Sequence, residues 1–567
     1  MLDAPRPKPT LARLAPSLRM GLAAVVFVTA LVPCGLRAQV TYDRLLRANQ
    51  EPQNWLTYSG DYASLRHTAL KQIDPTNAKN LEQKWVFQAD SSLQNFEATP
   101  LVVDGIMYLT QPVNDVVALD AKTGRVFWIF RHSVPTDVKP CCGSVNRGLA
   151  ILGDTLFLAT MDAQLIAIDA KNGKALWTVK VEPNYATGYS ITLAPLVVKD
   201  KVVIGVAGGE YGIRGFIAAY DAATGKEAWR FYTVPGPGEP GHETWNGEDW
   251  QHGGAPVWLT GSYDPELNLT YWGVGNPGPD WNPDQRNGDN LYSCSVVALD
   301  ADTGKLKWHY QFTPNDGYDY DAVQIPVLVN MAWNGSPRKL MLWANRNGNF
   351  YVLDRTDGKF LLGKPFVKVN WMSGFDAHGR PLQTPQPEGK PTFPGNQGAT
   401  NWYSPSYSPK TGLFYVSVWD NYGTVYSRRK QEYRAGQIYG GGMPRPFTPL
   451  PAAPAVPTLR RGAINNWTEA VGTGAVIAID PHTGQREWTY SMTDVTDSGI
   501  LTTDSDVLFT GGREGYFQAL NARNGKLLWK TNLGGQTPAG PMSYQVEGKQ
   551  YVAIAAGHCL FVFGLRE

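Results

Sequence analysis

Three separated stretches of this 567-residue chain carry hard oxygen donors. "VAGGEYGIRG" supplies Glu210, "GVGNPGPDW" supplies Asn276, and "NDGYDYDAV" supplies Asp319 and Asp321. Carboxylates with an amide oxygen suit a hard cation, and nothing in the sequence has the Cys/His spacing of a zinc or copper site. A fourth stretch, "DVKPCCGSVNRG", sets Cys141 beside Cys142 in a chain with Cys 5 in total, and Arg147 follows shortly after. Adjacent cysteines are rarely needed for packing. From the residues alone they are free thiols, separately paired thiols or a bonded pair. No Cys-x-x-Cys-His is present, so the chain carries no covalently attached haem of its own.

Side chains this far apart in sequence need a scaffold that gathers them, and a recurring phrase supplies one. "ALDAKTGRVFW" ends at Trp128, "AIDAKNGKALW" at Trp177, "AYDAATGKEAW" at Trp229 and "ALDADTGKLKW" at Trp308. "VLDRTDGKFLL", "AIDPHTGQREW" (to Trp488) and "ALNARNGKLLW" (to Trp529) continue the series. Each reads as strand, tight turn, strand, with Asp and Thr-Gly or Asn-Gly supplying the turn. β-branched runs broken by hairpin turns, such as "TPLVVDGIMYLT", precede the phrases. Four strands per unit at a period of about 40–50 residues predict an all-β fold, an eight-bladed β-propeller. The repeat tryptophans are expected to pack between blades. Trp85 in "LEQKWVFQ" reads as the outer end of a unit whose other strands lie at the C-terminus, and "YSPKTGLFYVSV" at 407–418 as part of a degenerate blade.

Composition agrees. Trp 19, Gly 59 and Pro 41 suit many short strands joined by turns, while a net charge of +1 with 18% charged residues gives no basic stripe for nucleic acid. Residues 1–38 read as a secretory signal peptide. Arg6, Lys8, Arg13 and Arg19 precede the apolar run "MGLAAVVFVTALVPCGL", too short for a comfortable membrane span, and "LRAQV" offers Ala38 before a cleavage point. A retained N-terminal anchor is the alternative. Export would permit disulfides. The remainder, 39–567, reads as a single propeller domain.

The repeat, the leader and the adjacent cysteines together resemble the pyrroloquinoline quinone (PQQ) dependent alcohol dehydrogenases, the methanol/ethanol dehydrogenase family, over about residues 45–567. The resemblance implies that Cys141 and Cys142 form a ring disulfide. Neighbouring Cα atoms lie about 3.8 Å apart, short of the usual disulfide span, and such a bond closes almost no loop. It serves instead as a rigid plate on one face of the planar quinone, with Trp258 of "GGAPVW" on the other. The resemblance further assigns Glu97, Arg147, Thr192, Gly208, Gly209, Arg346 and Asn401 to the cofactor, and Glu210, Asn276 and Asp319 to a cation that polarises the quinone carbonyl. Asp319 is implied as the base that takes the alcohol proton during hydride transfer, with Arg346 stabilising developing negative charge. Asp321, two residues after Asp319 on what reads as an extended segment, would point the same way and add an anionic ligand. That addition resembles the lanthanide-using members, which favours a lanthanide over Ca²⁺, the runner-up. Asp321 pairing merely with a nearby arginine is the plainer reading. The family implies a primary alcohol substrate, a cytochrome c as electron acceptor and a periplasmic location, and leaves a homodimer open.

Two features depart from the methanol-oxidising members. "VTDSGILTT" has Asp497 where those enzymes place a Trp, and the C-terminus "AAGHCLFVFGLRE" lacks their Trp-bearing extension. The Gly- and Pro-rich insertion 433–467 is expected to cover the pocket mouth. Cys294 and Cys559 read as buried free thiols. A polyol or sugar dehydrogenase with the same cofactor is the rival enzyme reading. A non-catalytic propeller scaffold shares the repeat but needs neither the cation ligands, Arg346 nor the paired cysteines.

Overall fold

Each recurring phrase folds as the outer half of a four-stranded antiparallel sheet. The computed structural model describes residues 40–90, 96–447 and 472–566. The signal-peptide expectation and the 448–467 part of the insertion lie outside the described residues.

The strands form eight blades, seven of them four-stranded and the seventh in chain order carrying a fifth short strand, His67–Thr68, so the fold is an eight-bladed β-propeller. Blades 1 to 7 span 101–130, 150–180, 196–232, 262–311, 327–365, 406–491 and 500–532 in chain order. The eighth combines three C-terminal strands with Leu81–Gln88, which pairs antiparallel with Cys559–Leu565. The first long strand therefore closes the ring against the last, as the reading of Trp85 required. A closed ring leaves no long sheet edge free. Within a blade the inner strands are buried, as in Leu101–Val103, and the outer strand is largely exposed, as in Val126–Phe130.

The phrase carries the blade-to-blade contact. Trp128 pairs across the sheet with Ala118, next to a register shift that increases local twist. Its indole then lies against Gly173 in the turn of the next blade and donates through Nε1 to Ala170 O at 3.1 Å. Gly173 has φ +72°, and a Cβ there would stand 2.6 Å from the Trp128 ring. The glycine is thus demanded twice, by the left-handed turn and by the close approach. The pairs Trp85–Gly124, Trp177–Gly225, Trp229–Gly304, Trp308–Gly358 and Trp488–Gly525 repeat the arrangement. Blade 5 substitutes Leu362, which lies against Gly484.

One expectation needs correction. The 407–418 segment is not a blade of its own. It supplies the two inner strands of blade 6, Ser406–Ser408 and Leu413–Asp420, whose outer strands are Thr473–Ile479 and Arg486–Ser491. A long insertion, including the hairpin of Thr424–Arg428 with Gly442–Pro446, separates the two halves and hid their relation.

Candidate active site

In a four-stranded antiparallel blade, the turn between the second and third strands and the link to the next blade emerge at the same end. All the expected site residues lie in those two kinds of segment. Glu210, Asn276 and Arg346 occupy the second turns of blades 3, 4 and 5. Glu97, Cys141, Cys142, Arg147, Thr192, Trp258, Asp319, Asp321 and Asn401 occupy links. The Gly and Trp phrases sit in the outer turns at the opposite end, so one end of each blade serves packing and the other is free for chemistry.

The links and turns enclose a cavity of about 250 Å³. Cys141 and Cys142 line it and are bonded to each other, with Cα atoms 3.8 Å apart. Cys142 Sγ stands 3.6 Å from Glu210 Oε1. Since bonded sulfurs bear no thiolate, Glu210 is the member of that trio with an oxygen to offer a cation. Trp258 lines the same cavity, with the Arg147 guanidinium 5.0 Å from its ring centre. Arg147 in turn forms a buried pair with Glu97 at 2.7 Å and donates to Thr192 O, while the Thr192 hydroxyl donates to Trp258 O.

The acidic side is denser. Arg346 forks between Asp321 Oδ2 and Asp319 Oδ2, 2.6 Å to each. The backbone N–H of Asn276 donates to Asp321 Oδ1 at 2.5 Å, and Asn276 Nδ2 donates to Asp280 Oδ1. Asn276 Oδ1, Asp319 Oδ1 and Asn401 Oδ1 are buried without a hydrogen-bond partner.

Comparison with known proteins places this arrangement. The family model described as "PQQ: Glucose/ethanol/alcohol dehydrogenase, beta-propeller domain" matches residues 55–373 and 376–552. The chain belongs to the PQQ-dependent alcohol dehydrogenase family. It is 39% identical over 95% of its length to quinohemoprotein alcohol dehydrogenase ADH IIB of Pseudomonas putida, of which 78% is covered. It is 36% identical over 94% of its length to the quinoprotein alcohol dehydrogenase PedH of Pseudomonas putida, of which 91% is covered. Among solved structures, a europium-containing methanol dehydrogenase superposes with a TM-score of 0.84 at 33% identity, covering 92% of this chain and all of that one (100%). As a member of this family the chain is an oxidoreductase that uses PQQ with a metal ion.

The residues present fit both groups. Three buried carboxylates, Asp280, Asp319 and Asp321, and the half-buried Glu210 face a single guanidinium, Arg346, so the cluster carries an excess of negative charge. Burial pushes the Glu210 carboxyl up to about 7, and the charge of Asp321 adds to the shift. Burial likewise raises Asp319, Asp280 and Asp321 above the usual carboxylate range. Acids held this way are satisfied by a hard cation, which the two orphaned oxygens Asn276 Oδ1 and Asp319 Oδ1 are ready to meet. On the other side, the disulfide and Trp258 offer apolar walls, and Arg147 and Arg346 offer charge for a polyanionic ring.

Of the fourteen expected site residues, Gly209 and Asn276 do not line the cavity. They lie directly behind it in contact with each other: a Cβ on Gly209 would stand 2.7 Å from Asn276 Oδ1. Gly208 has φ +120°, and a Cβ there would collide with Gly188 O. The two glycines thus let the Glu210 turn settle onto neighbouring backbone and Asn276. The segment of Asp319 and Asp321 is not a strand. Asp319 has φ +64°, and this left-handed kink in an irregular link, rather than strand alternation, accompanies the convergence of both carboxylates on Arg346. Asp321 does therefore pair with an arginine, and that arginine also lines the cavity.

Asp497 lies outside the cavity lining and pairs with buried Arg513 at 2.7 Å. Cys294 is a buried free thiol as expected, while Cys559, also free, is only half-buried. The described part of the 433–467 insertion contacts segments that line the cavity: Tyr439 N–H donates to Glu210 O at 2.6 Å, and Lys139 Nζ donates to Gly436 O at 2.8 Å. Sequence reading missed Asp280, Gln397 and Trp402. Asp280 stood four residues after Asn276 in the same quoted stretch, where "PGPD" reads as an ordinary turn.

Proposed function

We propose that the chain is an exported quinoprotein that oxidises a primary alcohol to the aldehyde and passes the electrons to a cytochrome c. The observation that carries this reading is the convergence on one cavity of the bonded Cys141–Cys142 pair, Trp258, the acidic cluster and Arg346. Relatives support the substrate class and acceptor: a chain from Thauera butanivorans, 38% identical over 89% of this one, is named 1-butanol dehydrogenase (cytochrome c). Export rests on the leader-like residues 1–38.

Bound PQQ would supply the hydride acceptor, and a bound cation would supply Lewis-acid polarisation of it. The chain's own residues do the rest. Cys141–Cys142 and Trp258 would hold the ring plane, and Glu97, Arg147, Thr192 and Asn401 would hold its polar edge. Glu210, Asn276, Asp319 and Asp321 would hold the ion. Asp319 Oδ1, without a hydrogen-bond partner and close to the cavity, takes the hydroxyl proton as the C–H bond breaks. Burial raises its basicity, and a neighbouring cation acts in the opposite direction. Arg346 steadies Asp319 and charge that builds at the quinone edge. The dense anionic cluster favours a trivalent lanthanide, with Ca²⁺ as the weaker cofactor.

The test is a matrix of ions and substrates. Purified protein reconstituted with PQQ and La³⁺ or Ca²⁺ is expected to reduce an artificial electron acceptor on addition of ethanol, methanol or 1-butanol. Turnover with sugars or polyols alone would overturn the alcohol assignment, and no turnover with any ion would overturn the enzymatic one.

A further inference from the structure

A side-chain amide has two ends, and a cation takes only the oxygen. Something must therefore hold Asn276 with its oxygen toward the ion. Asp280 is placed to do so. With a cation beside it Asp280 is ionised, and an ionised carboxylate only accepts hydrogen bonds, so it binds the NH₂ end and leaves the oxygen free. This is the arrangement found: Asn276 Nδ2 donates to Asp280 Oδ1, while Asn276 Oδ1 is buried and unpartnered. Both side chains are buried, at 0% and 2% exposure.

The segment bearing Asp280 is itself clamped. Buried Arg286 donates from Nε to Pro279 O at 3.0 Å, from Nη2 to Asp280 O at 3.3 Å, and from Nη2 to Asp316 O. Trp281 N–H donates to Gly440 O at 2.7 Å. Arg286 thereby ties the Asp280 segment to the link that carries Asp319 and Asp321. Arg286 spends its hydrogen bonds on three backbone carbonyls and Asn290 Oδ1, so its side chain forms no hydrogen bond with the Asp280 carboxylate.

We infer that Asp280 is a positioning residue of the cation site, locking the Asn276 amide and adding a fourth carboxylate whose charge favours a trivalent over a divalent ion. This rests on the proposed cation site. Outer partners that orient a ligand typically change metal affinity ~10–100-fold when removed. A buried charge within a few ångströms of the ion acts more strongly on a charge of three than on a charge of two.

The experiment is isothermal titration of the full chain, reconstituted with PQQ, with La³⁺ and separately with Ca²⁺, for the unaltered protein and for Asp280→Asn. The near-isosteric variant removes the charge and can no longer act as a pure acceptor. La³⁺ affinity is expected to fall ~10–100-fold, and Ca²⁺ affinity by less. Equal La³⁺ affinity in variant and unaltered protein would overturn the assignment of Asp280 alone, as would an equal loss for both ions for its charge role. Absence of binding to the unaltered protein would overturn the cation site itself. Should Asp280→Asn melt well below the unaltered protein, Asp280→Ser, which also lacks the charge, gives the same comparison.

Discussion

At the scale of single residues, the site places a cluster of acids beside two arginines, each held by specific geometry. Asp319 is asked to hold an ion and to take a proton. Its Oδ2 is engaged by Arg346 while Oδ1 is unpartnered, so both tasks fall on Oδ1, whose two lone pairs can face an ion and a proton. Asp319→Ala is expected to lower kcat at least ~10²–10⁴-fold, the usual range for a general base, as measured by acceptor reduction. Asp321→Ala is expected to impair activation by La³⁺ more than by Ca²⁺, because it removes charge from the cluster. Equal activity of that variant with both ions would remove the argument from charge. Asp321→Ala also leaves Arg346 Nη1 without its partner, so a general loss of folding must be excluded by melting. The residue scale is also where sequence reading was least complete. The donors Glu210, Asn276, Asp319 and Asp321 were visible as types, but the left-handed φ of Asp319 and the buried partner Asp280 are products of an irregular link and a turn, which carry no periodicity to read.

At the scale of elements, the repeated phrase solves one packing problem many times. The indole of one blade needs a flat, side-chain-free surface on the next, and a glycine already required by the turn provides it. Gly173→Val would drive a branched side chain into the Trp128 ring at a positive φ, and Trp128→Ala would leave the contact empty. Each is expected to lower the melting temperature, the Trp128→Ala change costing ~3–5 kcal/mol where the site cannot collapse. Circular dichroism melts of the two variants check this. A melt unchanged in both would mean that the phrase does not carry the inter-blade contact. This regularity made the fold legible: the same two residue types recur in the same places, and only the packing of adjacent sheets demands both. Blade 6 escaped because its halves are separated by the insertion after Asp420, and blade 5 was legible despite Leu362 because its turn chemistry persisted.

At the scale of the whole molecule, a ring of sheets closed by Leu81–Gln88 brings together groups from Glu97 to Asn401 at one end. No local element holds the site, since its walls come from successive links between blades. Ligands that bridge these links should stabilise the ring as a unit. Each of PQQ and La³⁺ at about 100 times its Kd is expected to add about 2.7 kcal/mol and to raise the melting temperature, and the two together should raise it more than either alone. Scanning calorimetry with each ligand singly and together reads this directly. Val86→Pro removes a donor from the closing strand, where Val86 pairs with Phe561, and is expected to lower the melting temperature and weaken ligand stabilisation together.

The central claim is that one cavity clamps a planar quinone between Cys141–Cys142 and Trp258 beside a cation held by Glu210, Asn276 and Asp319. A crystal structure of the protein loaded with PQQ and La³⁺, with the ion placed by its anomalous signal, tests it most directly. The account predicts the ion at about 2.3–2.6 Å from oxygens of those three side chains, with the quinone ring lying between disulfide and indole. An ion bound elsewhere, or a quinone outside the ring of links, would contradict it.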